Sequence, residues 1–480
     1  MLALPSSYDS LERYTDHLCG FIATPLVRQI TGGIHVNDAL IHDAWQKLPQ
    51  EWTAWWSSWP DHRLAQQDLI DSVDQDSGPE TDARDGEPRL IANRPESLTE
   101  WLNTMRSLAL PRARRRGPTI HLPEDLLRRM KTKKSAEVSR AAAYIHGICQ
   151  RKGITRIIDM GSGRGYLSLS LAYLFPHLRI LSIDGSQSQI AGSRSLAASL
   201  GIPESRLGTM VRWIDGSPAL ATEIEEWAGG EKCMLVGLHA CGSLMENMLR
   251  YFAGVACIDA VAVVGCCYNH MVPRSPSHPP GFPISSALRR RGVTLSPTAL
   301  MAACQCPSNW KRPDMRTGPG PGPGPGPGEE SSVFSKRRLY RVILEKMFDD
   351  KGVRVGTLDG DRPVWGTRKG DLASFTAFAQ RAMDRLGVER DKITTAELAA
   401  YERRYGHCQG QIAILWTLSV LCCNVVESVI AMDRFWFLGE EGAQGVDIVP
   451  IFDGKVSPRN LMLVAEKKVT GSEAPISVEL

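Results

Sequence analysis

Ile157-Ile158-Asp159-Met160-Gly161-Ser162-Gly163-Arg164-Gly165-Tyr166 decides how this 480-residue chain is read. Ahead of the glycines, Ile154 to Ile158 is a short apolar run of the length of a buried strand. Behind them, Leu167 to Phe175 is apolar over a helical length. Glycine at every second position between a strand and a helix lets backbone come close to a ligand, because no Cβ stands in the way. The helix beyond presents unpaired N–H groups and the positive end of its dipole.

Two cofactor classes use such a turn. Dinucleotide binders want G-x-G-x-x-G. Here the place of the third glycine is held by Tyr166, and the glycine falls one residue early, at Gly165. The pattern Asp-x-Gly-x-Gly-x-Gly resembles motif I of the S-adenosylmethionine-dependent methyltransferases. That resemblance implies that Gly161, Gly163 and Gly165 carry the methionine end of S-adenosyl-L-methionine, with Asp159 near its ammonium group. Arg179 to Ile183 reads as a second strand ending at Asp184, whose carboxylate can accept hydrogen bonds from both ribose hydroxyls. Asp215, after Val211-Arg212-Trp213-Ile214, is a further candidate, for the adenine amino group.

Bulk properties bound the rest. A chain of 480 residues exceeds one ordinary domain, and 43% apolar content supports a large core. A net charge of +3 argues neither for nor against a polyanionic partner. Twelve cysteines with no basic, apolar leader at Met1-Leu2-Ala3-Leu4-Pro5 point to a reducing compartment, cytoplasmic and/or nuclear. Ile412 to Val426 is apolar but short for a bilayer and ends at Glu427, so a buried helix and no membrane are expected.

Residues 1–118 read as a helical region in which Trp52, Trp55, Trp56 and Trp59 share one face. Asp68 to Pro88 reads as an acidic loop. Arg112, Arg114, Arg115 and Arg116 form one basic cluster, and Arg128, Arg129, Lys131, Lys133 and Lys134 another; both are solvated faces or phosphate contacts. Residues 119–311 alternate strand and helix, with strands near 154–159, 179–184, 208–214, 233–238 and 258–264. Alternation of this kind means an α/β doubly wound, Rossmann-like parallel sheet, with ligands at the carboxyl ends of its strands. Residues 312–334 hold a Gly-Pro linker, and 335–348 a sixth core strand centred on Leu339 to Glu345. Residues 349–455 read as a helical insertion, in which Gly387 stops one helix and Thr394 and Glu397 have capping-box spacing. Residues 456–480 carry the last strand, Leu461 to Ala465, and a tail.

The fourth and fifth strands end in Gly237-Leu238-His239-Ala240-Cys241-Gly242 and Val264-Gly265-Cys266-Cys267-Tyr268-Asn269-His270. Beside the glycine loop, these are the natural place for a methyl acceptor. His239 could act as base or orienter, and Tyr268 could stack on a planar acceptor, with Cys241 and Cys267 lining the same side. The His and Cys side chains suit zinc, yet no C-x-x-C pair is present and no metal is expected.

The order of several motifs resembles one group, the methyltransferase-like, ribosomal RNA adenine dimethylase domain-containing proteins. The motifs are Met130 to Val138, the Asp159 loop, the two strand-end loops, Phe282-Pro283-Ile284-Ser285-Ser286, Ala303-Cys304-Gln305-Cys306-Pro307, Asp433-Arg434, Val449 to Asp453 and Ser457-Pro458-Arg459-Asn460. The two strand-end loops are also similar to those of a tRNA 2′-O-methyltransferase family. The chain departs from the first group at Ala136, where histidine is usual, and lacks the Asn-Pro-Pro-Tyr-type loop of true adenine dimethylases. The resemblance implies a seven-stranded class I methyltransferase core and makes Lys134 and Glu137 further cofactor-site candidates. The expected function is methyl transfer to RNA, ribosomal or transfer. A protein substrate, or an inactive S-adenosylmethionine-binding module, are the alternatives.

Overall fold

A computed structural model describes residues 2–33, 35–59, 61–73, 93–306, 327–354, 369–389 and 392–468. Most of the Gly-Pro linker and of the acidic stretch after Val73 lies outside the described residues. The chain forms two compact units, one from Met1–Ile22, Leu108–Leu295 and Asn424–Leu480, the other from Ala23–Ser107 and Ser296–Cys423.

The first unit is built on a seven-stranded sheet of β1 (Arg156–Met160), β2 (Arg179–Asp184), β3 (Leu207–Val211), β4 (Cys233–Ala240), β5 (Ile258–Gly265), β6 (Gln444–Pro450) and β7 (Leu461–Glu466). Its order is β3-β2-β1-β4-β5-β7-β6. Neighbours from β3 to β5 pair in parallel, while β7 runs antiparallel to both β5 and β6. Every residue of β5, Ile-Asp-Ala-Val-Ala-Val-Val-Gly, is buried, which requires cover on both faces of the sheet. Ile157, Ile180, Met234, Ala260 and Met462 meet in one core cluster with Ala141, Ile145 and Ile148 of the helix Thr132–Lys152. That helix ends at Gly153 in the left-handed region (φ 65°), which lets the chain turn straight into β1.

The sheet corrects one expectation. Residues 335–348 are no strand: they lie in the helix Pro327–Asp350. Leu339, Tyr340, Ile343, Leu344, Met347 and Phe348 are buried at helical spacing, and Arg341 pairs with Glu345 at 2.6 Å, one turn on. A short apolar run does not separate strand from helix, and the spacing beyond it was the deciding signal. The true sixth strand is β6, inside the stretch expected to be a helical insertion, so that insertion does not extend to residue 455. Likewise the helix His62–Val73 occupies the start of the expected acidic loop.

In the second unit, Trp52, Trp55 and Trp56 are buried, with ring centroids 5.9 Å apart for Trp52 and Trp56. They form part of the core. Phe375–Leu386 ends at left-handed Gly387, and Thr394 and Glu397 close a reciprocal capping box. Residues 395–440 are the one helical run among the described residues long and apolar enough to cross a membrane, and 83% of its most apolar window is buried in the protein.

Buried charge fastens the first unit. Asp433, fully buried, accepts hydrogen bonds from Ile284 N–H (2.9 Å), Ser285 N–H (2.9 Å) and Ser285 Oγ (2.6 Å). Asp433→Ala orphans two buried amides and a hydroxyl, and is expected to destabilise this unit by about 3 kcal/mol. Urea unfolding checks it: a midpoint within error of the parent would show that these bonds contribute nothing.

Candidate active site

The glycine loop has the conformation its sequence demands. Gly161, Gly163 and Gly165 have φ of 70°, 56° and 72°, a region that other residues seldom enter. Gly161 and Ser162 N–H both donate to Ile183 O of β2, at 2.9 and 3.1 Å, and Gly165 caps the helix Tyr166–Leu174. A Cβ at Gly165 would lie 2.4 Å from Ser193 Oγ, and one at Gly161 2.7 Å from Leu244 Cδ2. At Gly163 a Cβ would meet nothing within 4 Å, so the space over the loop's middle is open. Ser162 Oγ is buried there without a hydrogen-bond partner among the described residues.

Two carboxylates flank the loop. Asp184, ending β2, accepts from Gly163 N–H and Ser186 N–H, each at 2.8 Å. Asp159 is buried and accepts from Ser168 Oγ at 2.6 Å. Burial pushes its carboxyl up to about 6, and the nearby Asp184 charge adds to the effect, while Ser168 and Lys134 oppose it. Asp215 is exposed and accepts from Ser217 N–H at 2.9 Å, at the start of the helix Pro218–Ala228. A residue not among the sequence candidates lies beside Gly185. Trp213 is 78% exposed, and its ring atom Cε3 lies 2.6 Å from where a Gly185 Cβ would be. Sequence does not report that exposure; an apolar ring so open to solvent marks a binding surface only once the structure is seen.

A second cluster meets at the end of β4. The β4–β5 register shifts between Leu238 and Ala240, and His239 there takes a φ of 66°. Such an irregularity re-aims a side chain. His239 Nε2 lies 2.9 Å from Glu137 Oε2, Ser457 Oγ donates to Glu137 Oε1 at 2.7 Å, and Lys134 Nζ is 3.2 Å away. Burial works to raise the Glu137 carboxyl, but the His239 and Ser457 hydrogen bonds and the His239 and Lys134 charges outweigh it and hold it at about 2. Lys134 and Glu137 thus belong with His239, and the Lys134 charge also reaches Asp159.

The cysteine positions come together and the tyrosine does not join them. Cys241 Sγ lies 3.2 Å from Cys266 Sγ, and Cys266 Sγ 3.5 Å from Cys267 Sγ. Tyr268 is buried, donates to Glu427 Oε1 at 2.7 Å, and carries the Arg434 guanidinium 5.5 Å from its ring centre. The expected stacking role for Tyr268 is therefore corrected: its ring is core packing, drawn inward by a buried carboxylate. The first basic cluster is divided in the same way. Arg112 pairs with buried Glu427, and Arg115 with Asp447 at 2.5 Å, leaving Arg114 and Arg116 exposed.

This strand order, with its antiparallel β7 and a glycine loop after β1, is a class I methyltransferase fold, the class whose cofactor is S-adenosylmethionine. Residues 133–274 match a family described as methyltransferase domain. It is 28% identical to the probable methyltransferase-like protein 25 of Mus musculus over 50% of this chain and 38% of that protein. For the Homo sapiens counterpart the figures are 28%, 50% and 37%. The chain thus spans about two-fifths of the length of these curated relatives. Among solved structures it is similar to the magnesium protoporphyrin IX methyltransferase of Synechocystis PCC 6803 with bound S-adenosylmethionine. There the identity is 14% and the TM-score 0.23, over 36% of this chain and 80% of that one.

A depressed carboxyl stabilises the folded state above its unfolded value and loses that contribution as pH falls through the folded one. For Glu137 the window runs from about 4.5 down to about 2. In urea titrations, Glu137→Gln should be less stable than the parent at neutral pH, and the gap should narrow across that window by at most about 3 kcal/mol. A gap constant from pH 5 to pH 2 would refute the pairing.

Proposed function

We propose that this chain uses S-adenosylmethionine to methylate RNA, ribosomal or transfer, in the cytoplasm or nucleus. The cofactor half rests on the fit of the loop. Asp159 is a buried carboxylate raised by desolvation, and an ammonium group beside it would restore its charge. Open space over Gly163 and the unpartnered Ser162 hydroxyl suit a polar ligand lying against backbone. Each Asp184 oxygen already holds one N–H and keeps acceptor capacity for a ribose hydroxyl. Trp213, exposed beside Gly185, and the exposed Asp215 are the candidates for contact with the adenine.

When bound, the cofactor supplies a methyl group made electrophilic by its sulfonium centre. The protein's own contribution is orientation and proton handling. Glu137, ionised at neutral pH, accepts from His239, so Nε2 carries the proton and Nδ1 is the basic nitrogen. His239, held by Glu137 and partly exposed, takes the acceptor's proton at Nδ1. Lys134 keeps the pair from accumulating negative charge.

The acceptor class rests on one observation. Tyr166, the first residue after the glycine loop, donates through its hydroxyl to Arg129 O at 2.9 Å. That bond ties the segment carrying the exposed Arg128, Arg129, Lys131 and Lys133 to the first residue after the glycine loop, with Arg128 also paired to Glu124 at 3.0 Å and Lys133 to Glu137 at 3.8 Å. A cationic rim there matches a polyanion.

Two measurements test this reading. Asp184→Ala should weaken S-adenosylmethionine binding by about tenfold or more in calorimetry, about 1.4 kcal/mol, with an unchanged circular dichroism spectrum. Unaltered affinity would remove Asp184 from the site. For the acceptor, protein and tritiated S-adenosylmethionine are incubated with lysate from cells lacking the protein, then treated with RNase or protease. Label lost to RNase is expected, whereas label lost only to protease would make the substrate a protein.

A further inference from the structure

Cys241, Cys266 and Cys267 come from two strand ends, and sequence spacing does not announce them as a set. Their three Sγ atoms all lie within 4.8 Å of one another. Zinc bound tetrahedrally by thiolates at about 2.3 Å sets its sulfurs about 3.8 Å apart. The contacts of 3.2 and 3.5 Å and the outer limit of 4.8 Å bracket that spacing.

The backbone explains how adjacent cysteines face one centre. In a strand Cys266 and Cys267 would point to opposite faces. Cys267 has left β5 and has φ −93° and ψ 71°, near an inverse γ-turn, which swings its side chain back toward Cys266. Gly242 N–H donates to Cys267 O at 3.0 Å and ties the two loops together. His270 O lies 2.5 Å from where a Gly242 Cβ would be, so the loops meet more closely than any other residue at that position would allow. Cys266 is buried, Cys267 half-buried and Cys241 exposed, which leaves an entry path from one side.

We propose that these three cysteines form a zinc site with a fourth position open on the Cys241 side, at the carboxyl ends of β4 and β5. Binding forms three S–Zn bonds. The S–H protons leave to solvent, and no oxidation state changes. Zinc suits an all-sulfur set that carries no redox demand. Water, or an oxygen or nitrogen ligand, completes the coordination. The site depends on neither the cofactor nor the acceptor assigned above.

The test uses the full chain, purified under a non-thiol reductant, incubated with zinc chloride and dialysed against a weak chelator. Elemental analysis should find one zinc per chain. Cobalt(II) in its place should give the intense near-ultraviolet thiolate-to-metal absorption. Cys241→Ser, an exposed and near-isosteric change, should remove the bound metal and that absorption. Cys257→Ser, just before the opposite end of β5, should keep both. Sub-stoichiometric zinc in the parent would overturn the proposal. So would undiminished binding in Cys241→Ser, or a reductant-resistant Cys241–Cys266 disulfide lighter by two hydrogens.

Discussion

A carboxylate buried at Glu137 cannot remain ionised without partners, because taking it out of water costs several kcal/mol. Its partners are what bind this end of the first unit together. Glu137 comes from the helix that precedes β1, His239 from the end of β4, and Ser457 from the loop that precedes β7. Three distant segments converge on two oxygens. The His239 backbone sits in an unfavourable region to reach them, and strain held in this way is typical of a site that needs one fixed orientation.

The same logic repeats deeper in. Glu427, fully buried, takes Arg459 at 2.9 Å, Arg112 and the Tyr268 hydroxyl. Asp433 holds the Ile284–Ser285 turn. Asn460 Nδ2 donates to Arg112 O at 3.0 Å and to Phe452 O at 3.2 Å. The Asp433-Arg434 and Ser457 to Asn460 motifs therefore act as a polar frame behind the strand-end loops. A satisfied frame of this kind fixes loop positions more sharply than apolar packing does, because a displaced loop leaves charge unpaired.

How much was legible follows from how local each feature is. The glycine loop, Asp159 and Asp184 were readable because one turn and one strand end determine them, and the strands β1 to β5 because each is a compact apolar run. The sixth strand was misplaced for a physical reason. Gln444-Gly445-Val446-Asp447 opens β6 with exposed and half-buried residues, while Leu339 to Leu344 offers a denser apolar run that belongs to a helix. Lys134, Glu137 and His239 were each singled out, but their contact spans 102 residues of sequence, which no periodicity reports. Tyr268 was misread because a phenol's direction depends on Glu427, 159 residues away.

The thiol cluster shows the same limit from the other side. Cysteine types were plain in the sequence, and the absence of a C-x-x-C pair argued against a shared centre. That argument assumes that both ligands of a pair come from one turn. Here the pairing is made by two parallel strands that end side by side, with a bulge at His239 and a γ-like turn at Cys267 bringing sulfur to sulfur. In a doubly wound sheet the carboxyl edge collects every strand-end loop, so ligand sets can assemble across strands with no fixed spacing. The carboxylate–histidine pair and the three thiols share that edge because β4 carries His239 near its end and Cys241 follows its last residue, two positions on along the same exit.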